Sequence, residues 1–258
     1  MPGGQYDSSK TRVVPVFEAL KRLNRSWIRE LLFLAEGPAV STRPRDADLT
    51  FANGHWGEHE LGLQPPVALL AWLVRNLAPP MDASNLGDDE VRRKRRQLID
   101  RDPAAVSEAL ELLRSTPAER AWYVLEGRTY PDAFIETPDA LLVVEGKRTE
   151  AGPTTDTTWM AGRHQIWRHM DAAWEIRGRR LVCGLFIVEG DPTATEVVPQ
   201  VWQQAVRDAL AEKALAGSFP HRGAAERSMI AEGFLGAVTW QRVCQELGVD
   251  QAVLRERA

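Results

Sequence analysis

Pro131-Asp132-Ala133-Phe134-Ile135-Glu136-Thr137-Pro138-Asp139-Ala140-Leu141-Leu142-Val143-Val144-Glu145-Gly146-Lys147 is the stretch on which the fold turns. Two short runs rich in β-formers flank Thr137-Pro138-Asp139-Ala140, whose composition is that of a tight turn. Read as a hairpin with a four-residue loop, Glu136 faces Leu141. The same register sets Asp132 directly opposite Glu145, with Cβ atoms about 5 Å apart on one face. Lys147 lies two residues beyond Glu145 and shares that face. A loop of odd length would shift the pairing by one residue and separate the three.

Two carboxylates in a partly dry site repel each other, and a divalent cation resolves the repulsion. Oxygen ligands suit Mg²⁺, which takes one or two carboxylates and keeps several waters. Mn²⁺ is expected to substitute. The backbone carbonyl of Gly146 is a further candidate ligand. A metal-activated water could then attack a phosphodiester, and Lys147 could orient that water or stabilise transition-state charge. An ordinary surface hairpin does not explain why Glu145-Gly146-Lys147 closes the apolar run 141–144.

Pro131-Asp132, followed after a hairpin by Glu145-Gly146-Lys147, resembles the motif of the PD-(D/E)xK, or restriction-endonuclease-like, nucleases. The resemblance covers roughly residues 103–190. It implies an α/β fold with an αβββαβ core, a mixed sheet flanked by helices. It also implies metal binding by Asp132 and Glu145 and assistance to the nucleophile by Lys147. Many relatives carry a further acid on the helix before the first strand; Glu108, Glu111 and Glu119 are candidates, with Glu126 a fourth at the end of the first strand. Many also carry a Gln followed four residues later by an aromatic residue, which Gln165 and His169 match in part. The implied partner is nucleic acid, DNA ahead of RNA.

Outward from the hairpin, the pattern predicts helices over 16–36, 66–77, 89–100 and 103–114, and a loop over 78–88. Strands are expected over 122–126, 132–136, 141–147 and 180–188. The last is nearly all apolar, as when both faces of a sheet are covered. Helices over 159–177 and 200–216, a short strand at 237–240 and a final helix complete the chain. This divides it into an N-terminal, mostly helical region (1–102), suited to gripping substrate or forming a homodimer, and a nuclease core with C-terminal helices (103–258).

On a helical wheel of 159–177, Met160, Ile166, Trp167, Met170, Ala173 and Trp174 form an apolar stripe. Arg163 falls inside it, and a charge there requires an anionic partner; a phosphate or Glu145 would serve, as would a structural ion pair. Gln165 and His169 fall outside the stripe, which favours a solvated face, although Gln165 also counts as a candidate substrate ligand. Thr154, Thr155, Asp156, Thr157 and Thr158 precede the helix. One is expected to cap it, and Thr158 is a candidate for meeting a phosphate at its N-terminus. His55 and His59 have a zinc-ligand spacing on a helix, but no third ligand accompanies them and Gly57 interrupts.

The 258 residues, 44% of them hydrophobic, can bury a sizeable core. No apolar run approaches the roughly 20 residues needed to span a bilayer, and the first dozen residues lack a signal-peptide core, so a cytoplasmic location is expected. Cys183 and Cys244 make no disulfide framework. A net charge of -4 opposes indiscriminate binding to nucleic acid but permits a local basic cleft. The basic residues 92–96 form one block, and Arg163, Arg168, Arg177, Arg179 and Arg180 a looser set. The competing reading, a non-catalytic nucleic-acid-binding or scaffold protein on the same fold, is disfavoured by the complete set Asp132, Glu145 and Lys147.

Overall fold

The computed structural model describes residues 8–23, 26–35, 37, 46–77, 88–115 and 117–254. Strands β2 (Ala133–Glu136) and β3 (Ala140–Gly146) form the expected antiparallel hairpin, with Glu136 opposite Leu141 and Ala133 opposite Val144. Thr137 locks the turn. Its N–H donates to the Ala140 carbonyl at 2.9 Å, and its hydroxyl accepts from the Ala140 N–H at 2.8 Å. Buried polar groups at the turn are therefore satisfied within it.

The hairpin sits inside a five-stranded sheet of order β1-β2-β3-β4-β5. β4 (Leu181–Val188) runs parallel to β3, and β5 (Phe234–Thr239) parallel to β4. The antiparallel edge strand β1 is Asn53–Trp56, paired with β2 from Asn53 opposite Glu136 to Trp56 opposite Ala133. This corrects the strand expected over 122–126, where the chain makes turns. Trp122, Tyr123 and Leu125 are buried, but in a helical cluster with Leu69, Leu73, Leu98, Ala109 and Leu113. Their apolar character serves that cluster and not a sheet. Asn53-Gly54-His55-Trp56 has no β-branched residue, so its extended state comes from pairing with β2 and not from local preference. The sheet thus draws on both sides of residue 102.

Alternate residues of the strands feed two cores. Ala133, Ile135, Leu142, Val144, Leu185 and Ile187 pack with Phe17, Leu20, Ile28, Leu31 and Trp240, which lie on α1 (Val14–Lys21), α2 (Trp27–Leu34) and α10 (Trp240–Leu247). Phe134, Leu141, Val143, Phe186 and Val188 pack with Ile166, Trp167, Met170, Trp202 and Val206, on α6 (Gln165–Ile176) and α7 (Gln200–Ala209). A third cluster joins α3 (Val67–Asn76), α4 (Asp89–Ile99) and α5 (Pro103–Ser115). Those three helices lie between β1 and β2 in the chain. α8 (Glu212–Ser218) and α9 (Ala224–Glu232) precede β5.

Two expected helices are each divided. The one over 16–36 becomes a π-helical turn (Ser9–Val13) running into α1, then α2, with Ser26 non-helical between them (φ −79°, ψ 83°). The one over 200–216 breaks at Ala211 (φ −62°, ψ 137°) into α7 and α8. The loop expected over 78–88 lies outside the described residues except Asp88, whose carboxylate accepts from the Val91 N–H and caps α4. Among the described residues, no helix is long and apolar enough to cross a membrane.

Replacing Thr137 with Val keeps the shape and removes the hydroxyl that satisfies the Ala140 N–H. Thr137→Val should lower unfolding stability by about 1–3 kcal/mol in urea titrations, with no loss of strand content by circular dichroism.

Candidate active site

Asp132 immediately precedes β2, and its carboxylate Oδ2 accepts the Gly146 N–H at 2.8 Å. This bond continues the hairpin register beyond the last paired residues. Glu145, on β3, has both carboxylate oxygens occupied. The Lys147 ammonium lies 2.7 Å from Oε1, and His169 Nε2 lies 2.9 Å from Oε2. His169 in turn meets the Thr129 hydroxyl through Nδ1 at 2.6 Å. With the imidazole neutral, Nε2–H donates to Glu145 and Nδ1 accepts from Thr129. The Lys147 backbone is fixed from two sides: its N–H donates to the Ile187 carbonyl at 2.8 Å, and its carbonyl accepts from the Trp240 indole at 3.1 Å. Gly146 is required by crowding. A Cβ there would meet Val13 at 2.7 Å and the Trp240 ring at 2.8 Å.

The electrostatics divide the two carboxylates. Burial works to raise Glu145, but its hydrogen bond to His169 and the Lys147 charge outweigh burial and leave its pKa below the ordinary value. Burial and the adjacent Glu145 charge push Asp132 up to about 8, against the opposing Gly146 hydrogen bond and Lys147 charge. Burial works against the Lys147 ammonium, yet Glu145 and Asp132 hold its pKa above the ordinary value. At neutral pH the site thus holds one carboxylate, one ammonium and a protonated Asp132.

Asp132 also borders an open cavity of about 760 Å³, shared with Lys10, Glu18, Glu58, His59 and Glu60. Glu60 adds to the negative field at Asp132. Glu18, on α1, accepts from the Trp56 indole at 3.0 Å. A divalent cation suits this donor set. The acids are oxygen ligands. Lys147 N–H points to β4, so the Gly146 peptide groups face the Asp132 side, because N–H and C=O of one strand residue point the same way. Among the described residues, no group of three or more His, Cys, Asp or Glu side chains is placed to hold a metal ion. The donors present, two carboxylates and a backbone carbonyl, are all oxygens, the ligand type that Mg²⁺ takes and not the N/S set typical of zinc.

The remaining expected residues are placed elsewhere. Glu108 and Glu111 are exposed on α5, Glu108 beside Lys94. Glu119 is exposed and pairs with Arg128 at 3.1 Å. Glu126 is buried and bound to Arg163, 3.0 Å from Nη2. None of these four borders the Asp132 cavity; the acid there from a preceding helix is Glu18. Arg163 is fully buried, as the wheel required, but its partners are Glu126, Asp171 at 2.8 Å and the Ser218 carbonyl, not Glu145. It also lies outside α6, which begins at Gln165; no threonine side chain of 154–158 caps the helix, whose Gln165 N–H donates instead to the Thr154 carbonyl at 2.9 Å. Thr158 is exposed in a turn. Gln165 is half-buried with its Oε1 unpartnered. His169 is buried and holds Glu145, which corrects the solvated face expected for it. His55 lies on β1, where it meets Asn53, while His59 is exposed on the following 3₁₀ turn, so the pair does not converge on a helix.

The looser arginine set is mainly structural. Arg168 donates to the Gly127 and Arg128 carbonyls, Arg177 stacks on Trp174 and Arg180 pairs with Glu136 at 2.9 Å. In the other block, Arg95 is buried, while Arg92, Arg93 and Arg96 line a surface hollow with Asp89 and Asp100. Comparison with protein-family models, with curated proteins and with solved structures returned no match. The functional reading therefore stands on this geometry.

Two outcomes follow. The folded protein holds an Asp132 proton that the unfolded chain releases near the ordinary carboxylate pKa. Metal-free stability should therefore fall as pH rises from about 4 to about 8. Asp132→Asn should remove this part of the slope and melt higher than wild type at pH 8 in EDTA, as read by calorimetry. Arg163→Met leaves Glu126 and Asp171 short of a buried cation and should cost on the order of 3–5 kcal/mol in denaturant titration.

Proposed function

We propose that this chain is a divalent-metal-dependent nuclease of the PD-(D/E)xK kind, hydrolysing phosphodiester bonds in nucleic acid, DNA ahead of RNA. The observation that carries the reading is the convergence of Asp132, Glu145 and Lys147 at the end of β2–β3, in the register that one four-residue turn imposes. The order α2, β1, β2, β3, α6, β4 supports it, because it is an αβββαβ series once α3–α5 is treated as an insertion between β1 and β2.

Asp132, Glu145 and the Gly146 carbonyl would hold Mg²⁺, or Mn²⁺ in its place. When bound, the ion supplies Lewis-acid activation of water and neutralises charge on the phosphate. With that positive charge in the site, Asp132 would lose its proton, and Lys147, which now pairs with Glu145, would be available to the substrate. Its ammonium would then stabilise negative charge growing on the phosphate oxygens or orient the attacking water. His169 and Thr129 fix the Glu145 carboxylate from behind, which makes His169 a positioning residue. The reaction adds water across the P–O bond and leaves a phosphate monoester and a hydroxyl.

The test is cleavage of plasmid, linear duplex, single-stranded DNA and RNA with Mg²⁺ or EDTA. Mg²⁺-dependent cleavage is expected, reduced by about 10²–10³ in Lys147→Ala and by at least as much in Glu145→Gln. His169→Ala should lose about 10–100-fold and require more Mg²⁺ for half-maximal rate. Wild-type cleavage by Glu145→Gln, or no cleavage of any substrate, would count against a nuclease; nucleic-acid binding without cleavage would favour a non-catalytic role.

A further inference from the structure

A second cavity, of about 820 Å³, lies between the β3–α6 connection and the α7–α8 pair. Gly152, Ala161 and Gly162 line one side, and Ala205, Ala211 and Ala214 the other. These short side chains leave an apolar slot, of a size that suits a small organic ligand. Gln204, Asp208 and Lys213, all exposed, stand at its rim.

His164 borders this slot, is only 6% exposed, and its Nδ1 has no hydrogen-bond partner. The adjacent Gln165 Oε1 is also buried and unpartnered. Buried polar atoms are rarely left unpaired without a reason. Burial holds the His164 pKa at about 4, so the ring is neutral at pH 7 and offers one donor and one acceptor nitrogen. The slot is close to the catalytic cluster, since Glu145 is the charge that acts on His164. Gln165 and His169 are also one turn apart on α6, about 6 Å, and His169 holds Glu145.

We infer that this cavity receives a nucleobase from the nucleotide beside the scissile phosphate, and that His164 reads the edge of that base. The proposal rests on the nuclease reading and adds a specificity site to it. A base has apolar faces for the alanine and glycine walls and a polar edge for the unpaired imidazole. An acyl chain would leave the His164 nitrogen unpaired. An inorganic anion would meet Asp208 at the rim with Lys213 as the lone cation of the lining.

The probes are the four deoxynucleosides, which carry no phosphate and therefore do not depend on the metal site. Binding is measured by saturation-transfer NMR and calorimetry in EDTA. Ala161→Trp, in an exposed turn, and Ala205→Trp each fill the slot. His164→Phe keeps the ring and removes its nitrogens. Saturable binding of at least one deoxynucleoside is expected, weakened tenfold or more by either Trp variant, with the preference among bases lost in His164→Phe. No saturable binding by any of the four, or binding unchanged in both Trp variants with native circular dichroism, would overturn the assignment. Cleavage without nucleoside binding would sink the base pocket alone, whereas nucleoside binding without Mg²⁺-dependent cleavage of any substrate would sink the nuclease reading and leave the cavity a nucleoside site.

Discussion

A slip of one residue between β2 and β3 would turn Phe134, Leu141 and Val143 away from α6, and Ile135, Leu142 and Val144 away from α1, α2 and α10. The two cores therefore enforce one register, and Thr137 reinforces it at the turn. The same register sets Asp132 against Gly146 and places Glu145 and Lys147 side by side. The site is thus a by-product of packing. Its geometry cannot drift unless two apolar faces are exposed together, which fixes Glu145 on β3 and Asp132 and Lys147 one residue beyond the strand ends.

That rigidity has an electrostatic consequence. Glu145 is 2% exposed and sits in the same buried neighbourhood as a second acid. One ammonium and one imidazole stabilise Glu145, and Asp132 accommodates by keeping its proton. A local arrangement that is unfavourable for folding at neutral pH, embedded in an otherwise satisfied core, is the pattern expected where stability has been exchanged for function. The Arg163 network provides the contrast. It holds Glu126 and Asp171 with three arginines, Arg163, Arg168 and Arg222, and Asp171 is driven down to about 2: burial opposes this, but Arg163, His221 and Arg222 prevail. Both clusters are buried and charged, but only in the first does burial beside a second acid hold a carboxyl in its protonated form.

What was legible in the sequence follows from the range of the interaction involved. The hairpin, its register and the three residues at its end depend on neighbours within seventeen positions, and they could be read from alternation and turn chemistry. β1 depends on pairing with a strand some eighty residues later, and Asn53-Gly54-His55-Trp56 carries no local signal of it. A first strand at 122–126 points to Glu108, Glu111, Glu119 or Glu126 as the extra acid; with β1 at 53–56, the preceding helices are α1 and α2, and Glu18 on α1 borders the Asp132 cavity. His169 was missed by a small angle. At 100° per residue it lies about 40° beyond Ala173, at the edge of the apolar stripe, and α6 is buried well past that stripe. The wheel identified Arg163 as buried but could not identify its partners, since Glu126 and Asp171 are brought to it by different elements.

The helical insertion between β1 and β2 is tied to the site through the β3–α6 connection. Trp159 and Met160, which follow Lys147 by a dozen residues, are buried in the cluster of α3, α4 and α5 and not in either sheet core. Arg95 of α4 stacks over Trp159, and its guanidinium donates to the Trp122 carbonyl at 3.2 Å. The segment that lines the apolar slot is therefore anchored at one end by α6 and at the other by the insertion. Changes within α3–α5 would reach the slot through Trp159 without passing through the sheet, whose register and acid pair are fixed independently. The architecture separates the acid pair and Lys147, held at the end of β2 and β3, from the slot, held by α6 and the insertion.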